Sequence, residues 1–174
     1  MAWASVSRRS RARTGHSLYI EWMHTGDLVP DFELPDQRGT PRKLSDLLAQ
    51  GPVVLFFYPA AMTYGCTKES CHFRDLAAEF VAVGAQPVGI SADSVEKQKQ
   101  FDEKESLGFI LLSDPDRTVA AQLGVKRSVE FLKVKRTTFV IDTDRTVLEV
   151  IHSEFSMGSH ADKALALLKA RHAA

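Results

Sequence analysis

The residues best suited to chemistry lie in the segment PAAMTYGC, where Pro59, Thr63 and Cys66 follow the spacing Pro-x-x-x-Thr-x-x-Cys. The apolar run 53–58 before them predicts a buried strand, and the sequence after them predicts an amphipathic helix over 66–83. We therefore expect Cys66 in the first turn of a helix, where unpartnered backbone amides and the helix dipole stabilise an anion. A thiolate at such a position is a nucleophile, so the spacing indicates thiol redox chemistry.

A reactive thiolate also needs groups that orient its substrate and stabilise the transition state. Thr63 offers a hydroxyl three residues before Cys66. Pro59 has no backbone N–H and is expected to shield the sulfur from water, while Gly65 lets the chain pass close to the site. A cation must come from a distant segment, and Arg136, at the start of a predicted strand, is our choice among the arginines.

These residues resemble the active site of the peroxiredoxins. Pro59, Thr63 and Cys66 match the peroxiredoxin motif, and Arg136 in KRTTFVID matches the distant catalytic arginine. Cys71, five residues after Cys66, matches the resolving cysteine of the peroxiredoxin Q group, also called bacterioferritin comigratory proteins. Further segments that resemble this group are GDLVPDFELPDQRG, GISADSVEKQKQF and LLSDPD.

The resemblance extends over nearly all of the foldable chain, from about residue 26 to residue 169. Two features depart from it: Tyr64 stands where the family has proline, and Ala60-Ala61-Met62 replaces a more polar stretch. Neither departure removes a group that the chemistry needs. They bear on substrate preference and not on the type of reaction.

The resemblance implies peroxide reduction without metal, haem or flavin. Cys66 would attack a peroxide oxygen and become a sulfenic acid, while Thr63 and Arg136 hold the peroxide. Cys71 would then form an intramolecular disulfide with Cys66, and a thioredoxin-type dithiol protein would reduce it. Glu69 matches a family position whose carboxylate helps to position an arginine; the alternative is an ordinary solvated helix residue.

The spacing of the two cysteines carries a prediction of its own. Five residues along an ideal helix separate Cα atoms by roughly 8–9 Å, whereas a disulfide requires Cα atoms closer than about 7 Å. If Cys66 and Cys71 both lie in regular helix when reduced, the bond cannot form unless the helix opens. We therefore expect local unfolding around residues 66–75, in a segment of marginal stability.

Strands and helices are predicted to alternate along the chain, which favours an α/β sheet covered by helices. A short antiparallel hairpin is predicted across DQRGT. A second hairpin near the end of the sheet makes the sheet mixed, and the resemblance implies its thioredoxin-like form. We expect one domain over residues 23–174. The predicted strands are 32–34, 42–44, 53–58, 87–91, 109–112, 137–142 and 147–152, and the predicted helices are 66–83, 95–105, 117–123 and 161–171.

Composition narrows the class of protein. The formal net charge is zero, so the chain lacks the excess of positive charge that is typical of proteins that bind nucleic acid or anionic membranes. Two cysteines do not indicate a secreted disulfide scaffold, so a reducing cytoplasm is expected, with a monomer favoured over a dimer. Residues 1–22 are basic and serine-rich, and we interpret them as a disordered or spurious extension before a start at Met23, with a targeting segment as the alternative.

Two other functions stay open at this point. A thioredoxin-like protein disulfide oxidoreductase usually carries Cys-x-x-Cys, whereas Cys66 and Cys71 are separated by four residues. Such proteins also place a proline where this chain has Arg136. A redox-sensing binding protein is the second alternative. Metal binding at Cys71-His72 is disfavoured because structural zinc needs four ligands and no matching second pair is present.

Overall fold

Five strands form one mixed sheet, and a separate two-stranded hairpin precedes it. The computed structural model describes residues 22–129 and 132–174, so the predicted extension lies almost entirely outside the described residues. In chain order the elements are β1 (Glu33–Pro35), β2 (Pro41–Lys43), α1 (Leu44–Leu48), β3 (Val53–Phe57), α2 (Tyr64–Asp75), α3 (Ala77–Ala82), β4 (Gln86–Ser91), α4 (Val95–Glu105), β5 (Ile110–Ser113), α5 (Thr118–Gln122), β6 (Thr137–Ile141), β7 (Val147–His152) and α6 (Met157–His172). The sheet order is β5-β4-β3-β6-β7.

Strand β3 is central and buried on both faces. Its residues alternate between two apolar clusters: Val53, Leu55 and Phe57 face the cluster that includes α1 and α5, whereas Val54 and Phe56 face the cluster that includes α2, α3, α4 and α6. A strand covered on both sides reads as a continuous apolar run, which is why the sequence VVLFF is uninterrupted by polar residues.

The pairing of β3 with β6 determines where the candidate site forms. The two strands are antiparallel, and Phe57 at the end of β3 lies opposite Thr137 at the start of β6. The segment that follows β3 therefore lies beside the segment that precedes β6. This register brings the PAAMTYGC loop and Arg136 together at the same end of β3 and β6, although they are far apart in sequence.

Helix α2 is held on the sheet by aromatic packing. Phe73 is fully buried, and its ring is stacked on that of Phe56 with 4.1 Å between centroids. On its other side Phe73 packs on Phe80 of α3, with 5.8 Å between centroids. These contacts anchor the carboxyl-terminal half of α2, whereas its first turn lies near the end of β3.

Most predicted elements are confirmed, with three corrections. The N-terminal hairpin is antiparallel as expected, but Leu44 begins helix α1, which was not predicted, because Leu44, Leu47 and Leu48 bury one apolar face. The single helix predicted over 66–83 is wrong: it is interrupted at Leu76, whose backbone leaves the helical region. Helix α6 begins at Met157, four residues earlier than predicted.

Among the described residues, no helix combines the length and the hydropathy that a membrane span requires.

Replacing Gly51 tests the turn between α1 and β3. Its φ is +137°, and a Cβ there would lie 2.0 Å from the carbonyl oxygen of Gly84. We expect Gly51→Ala to lower the free energy of unfolding by about 3 kcal/mol, because backbone cannot yield as a side chain can. Gly39, whose φ is +77° with open space around it, is the matched control, and its alanine variant should lose only about 1 kcal/mol. Equal losses in urea denaturation would contradict the clash.

Candidate active site

Cys66 lies in the first turn of α2. Pro59 follows β3 and is buried, the loop passes through Thr63, and Cys66 is the third residue of the helix with 1% of its surface exposed. The first helical hydrogen bond runs from the amide of Thr67 to the carbonyl of Thr63, at 2.8 Å. The amides of residues 64–66 therefore have no partner within the helix and direct positive potential to this end.

Arg136 lies beside the sulfur. Its Nη2 is 3.4 Å from Cys66 Sγ, and only 5% of the residue is exposed. Burial opposes the charged guanidinium, but the neighbouring Glu69 and Cys66 more than offset it, so the pKa of Arg136 is raised above its usual value. The arginine thus stays charged inside the protein, where Coulombic attraction to an anion is much stronger than in water.

Glu69 shares that guanidinium. Its Oε2 accepts a hydrogen bond from Arg136 Nη1, and its side chain is fully buried one helical turn after Cys66. The interpretation of Glu69 as a solvated helix residue is therefore wrong. Burial raises the pKa of Glu69 to about 8, although the charge of Arg136 acts in the opposite direction. Its other oxygen, Oε1, is buried without a hydrogen-bond partner.

Thr63 and Gly65 lie in the segment directly before Cys66. The Thr63 hydroxyl donates to the carbonyl of Ala60 at 2.9 Å, which leaves its oxygen lone pairs free to accept. A Cβ at Gly65 would lie 2.7 Å from Met157 Cε and 3.3 Å from Arg136 Nη2. Glycine is therefore what allows the arginine to approach the first turn of α2. Tyr64 is 86% exposed and lies at the rim.

A buried aspartate supports the loop from below, and sequence reasoning missed it. Asp93 accepts hydrogen bonds from the amide of Ala61 at 2.7 Å and from Ser91 Oγ at 2.8 Å. Lys97 Nζ also lies 2.8 Å from Asp93. The next loop residue, Met62, has a φ of +65°, which is rare for a side chain of this kind. Asp93 lies in the segment GISADS, whose resemblance to the peroxiredoxin Q group was the only sequence signal for it.

Two more residues missed by the sequence analysis pack around Arg136. Glu154 Oε1 lies 3.3 Å from the backbone amide of Arg136 and also binds Arg127, in a loop to which no chemistry had been assigned. His160 of α6 is fully buried, with Nδ1 2.9 Å from Thr138 Oγ1 and 3.8 Å from Glu69 Oε1. A single histidine near the end of a chain gave no pattern by which to find it.

Cys71 lies in the same helix as Cys66, and both thiols are free. Its Sγ is 3.8 Å from Glu105 Oε2 on α4. Burial raises the pKa of the Cys71 thiol, while Arg74 acts to lower it. Because α2 is continuous from Tyr64 to Asp75, the Cα atoms of the two cysteines are separated by roughly 8 Å, too far for a disulfide. The bond requires α2 to open.

Polar contacts hold this part of α2 against its neighbours. His72 Nε2 lies 2.7 Å from Asp162 Oδ1 on α6. Arg74 Nη1 donates to the carbonyl of Glu105 at 2.6 Å. Both contacts are partly exposed, and such contacts contribute only about 1 kcal/mol or less each. Apart from the buried Phe73, the contacts that hold the helix around Cys71 are therefore weak ones.

Comparison with known proteins identifies the family. Residues 25–150 match the model of the AhpC/TSA family. The chain belongs to this family, and its similar relatives are peroxiredoxins. The crystal structure of peroxidoxin BcpB from Mycobacterium tuberculosis is 68% identical in sequence, with a TM-score of 0.82 over 85% of this chain and 97% of that chain. Peroxiredoxin Bcp of Escherichia coli is 40% identical over 152 residues, covering 84% of this chain and 96% of the relative.

A third relative adds chemical detail. The bacterioferritin comigratory protein of Xanthomonas campestris, described as having alkyl peroxide reduction activity, is 30% identical, with a TM-score of 0.76 over 86% of this chain and 99% of that chain. These relatives confirm the resemblance to the peroxiredoxin Q and bacterioferritin comigratory group. They also confirm the thioredoxin-like form of the mixed sheet with its preceding hairpin.

Weakening the contacts of α2 tests whether they hold the helix closed. Asp162→Asn and Arg74→Ala should each raise amide exchange in residues 67–75 of the reduced protein by up to about fivefold, since each removes about 1 kcal/mol or less. Asp142→Asn, which removes the contact between Asp142 and Arg171 near the end of α6, is the matched control. Amide exchange is measured by mass spectrometry. If it is no faster in either variant than in the control, these contacts do not restrain the helix.

Proposed function

We propose that the protein is a thiol-dependent peroxidase that reduces hydrogen peroxide or organic hydroperoxides through Cys66 and Cys71. The observation that carries this proposal is the guanidinium of Arg136 at 3.4 Å from the Cys66 sulfur, at the start of a helix, in a chain of the peroxiredoxin family. When the Cys66 thiolate attacks an oxygen–oxygen bond, negative charge moves onto the leaving oxygen. The neighbouring guanidinium is placed to stabilise that charge.

In the first step the Cys66 thiolate attacks one peroxide oxygen. An S–O bond forms, the O–O bond breaks, and the leaving oxygen takes a proton to become water or an alcohol, while the cysteine becomes a sulfenic acid. Thr63 accepts a hydrogen bond from the peroxide O–H through its free lone pairs. Arg136 donates to the oxygens as charge develops on them, and Pro59 excludes water.

In the second step Cys71 resolves the sulfenic acid. Its thiolate attacks Cys66 Sγ, the S–O bond breaks and the hydroxide leaves as water, which gives an intramolecular disulfide. Opening of α2 precedes this step. A thioredoxin-type dithiol then exchanges with the disulfide and returns both cysteines to the reduced form. We assign this cycle to one domain over residues 23–174, and a monomer and a cytoplasmic location stay predictions.

The disulfide oxidoreductase and the redox-sensing binding protein are less well supported. The family to which the chain belongs and the arginine beside Cys66 both favour peroxide chemistry over exchange with protein disulfides. Glu69 and Gly65 support this assignment: Glu69 orients Arg136, and Gly65 leaves room for it. The preference between hydrogen peroxide and alkyl hydroperoxides depends on the rim of the site, where the exposed Tyr64 lies.

Substitution of each cysteine separates the two steps. Cys66→Ser should consume no peroxide. Cys71→Ser should consume one equivalent quickly and then stop as the sulfenic acid, because no thiol remains to resolve it. Intact mass after one equivalent of peroxide distinguishes the two, with a gain of one oxygen only in Cys71→Ser. Steady turnover of Cys71→Ser with thioredoxin at the parent rate would remove Cys71 from the cycle.

Substitution of Arg136 tests the cation. Arg136→Ala should slow the peroxide step by roughly 10²–10³-fold, as expected when a preorganised charge donor is lost from a transition state. Arg136→Lys keeps the charge without the two-pronged guanidinium, so its rate should lie between those of the parent and Arg136→Ala. Arg171→Ala, on the exposed face of α6, is the control. Stopped-flow rates that are the same in Arg136→Ala and the parent would exclude the arginine from the mechanism.

A further inference from the structure

A buried carboxylate oxygen next to the candidate site has no partner. Glu69 Oε1 is inaccessible to solvent and makes no hydrogen bond, whereas its twin Oε2 binds Arg136. Leaving a charged oxygen unpaired inside a protein costs considerably more than pairing it. Nδ1 of His160 lies 3.8 Å from Glu69 Oε1, beyond hydrogen-bond distance but close enough for a strong charge interaction, and both side chains are fully buried.

The hydrogen bonds of His160 determine which of its nitrogens is available. Nε2 lies 2.9 Å from the carbonyl of Ser153, which only accepts, so Nε2 carries a hydrogen and donates it. Nδ1, the nitrogen nearest Glu69, lies 2.9 Å from Thr138 Oγ1, a hydroxyl that can either donate or accept. In the neutral imidazole the lone pair of Nδ1 accepts from the Thr138 hydroxyl, and a second ring proton would reside on Nδ1, so one proton can lie either there or on the Glu69 carboxyl.

The charges around this pair favour one additional proton. With Cys66 as a thiolate and Glu69 as a carboxylate, two negative charges would share the single positive charge of Arg136. A proton on the pair makes the set neutral. The titratable and charged groups that face the pair are Cys66 on α2 itself, Arg136 at the start of β6, His152 at the end of β7, and Glu154 with its partner Arg127 in the flanking loops.

We propose that Glu69 and His160 hold one proton between them, and that this proton leaves the charge of Arg136 available to Cys66. His160 is then a positioning residue: it touches neither the sulfur nor a peroxide, and acts through Glu69 on the arginine. The catalytic part of this inference rests on the proposed peroxidase function. The proton itself does not.

The directions of the two pKa shifts indicate where the proton resides. Burial raises the pKa of Glu69 to about 8, and burial lowers the pKa of His160. Below pH 8 the proton therefore lies on the carboxyl, and the neutral imidazole faces it. As the pH rises through 8 the carboxyl loses the proton, and Glu69 then competes with the thiolate for Arg136. The peroxide step should accordingly slow at alkaline pH.

Nuclear magnetic resonance of the reduced protein tests the proton without any turnover. With histidine labelled in its ring, the signals of His160, assigned by their absence in His160→Gln, should shift with a midpoint near pH 8. Glu69→Gln should abolish that shift, because an amide has no proton to lose yet can still accept from Arg136. Glu79→Gln, an exposed carboxylate on α3, is the control. A His160 signal that is flat, or unchanged by Glu69→Gln, would overturn the proposal.

Stopped-flow rates then test the link to catalysis. The parent should lose roughly tenfold in the rate of the peroxide step between pH 7 and pH 9.5, the smaller end of what a neighbouring like charge does to an ionised group. Glu69→Gln should not show this decline, and so should differ from Glu79→Gln, which should follow the parent. A parent that declines no more than Glu69→Gln would overturn the effect on Arg136. A reduced parent that consumes no peroxide at any pH would instead refute the proposed function and leave the resonance result standing.

Discussion

A single guanidinium placed between a thiolate position and a buried carboxylate is the constraint on which the site depends. Arg136 is almost inaccessible to solvent, so its charge has to be compensated by groups inside the protein. Arg136 contacts Cys66 Sγ and Glu69 Oε2, which lie on one face of α2 one helical turn apart, and with Glu69 protonated, as we propose, the thiolate is the group that compensates the charge. Any change that displaces the arginine would therefore affect the sulfur and the stability of the interior together.

The sheet and the loop after β3 hold the site in place, whereas the second chemical step depends on a helix that must open. The antiparallel register of β3 and β6 determines the distance between the PAAMTYGC loop and Arg136, and Asp93 holds the loop by its backbone. Helix α2 has two opposing tasks. Its first turn must keep Cys66 in place, whereas the turn that carries Cys71 must open, and the polar contacts around that turn are of the kind that contributes little to stability.

Local patterns were sufficient for most of the fold. The apolar run of β3 and the alternation that follows it predicted the strands, since burial on both faces leaves no room for polar residues. Three errors arose where tertiary packing outweighs local preference. The short helix α1 is stabilised by the apolar face that it buries, α2 and α3 are separated at Leu76 with no glycine or proline to mark the break, and α6 begins in a segment without an apolar period.

For the site, sequence alone determined which residues could take part: Cys66 by its position after a buried strand, Thr63 and Arg136 by their type and place in the chain, and Cys71 by its resemblance to a family. Only the tertiary structure decided which groups surround them. The burial of Glu69, the approach of His160 from α6 and the support of Asp93 each depend on contacts between segments distant in the chain. Such contacts follow from strand register and helix packing, and neither the spacing nor the type of a residue encodes them locally.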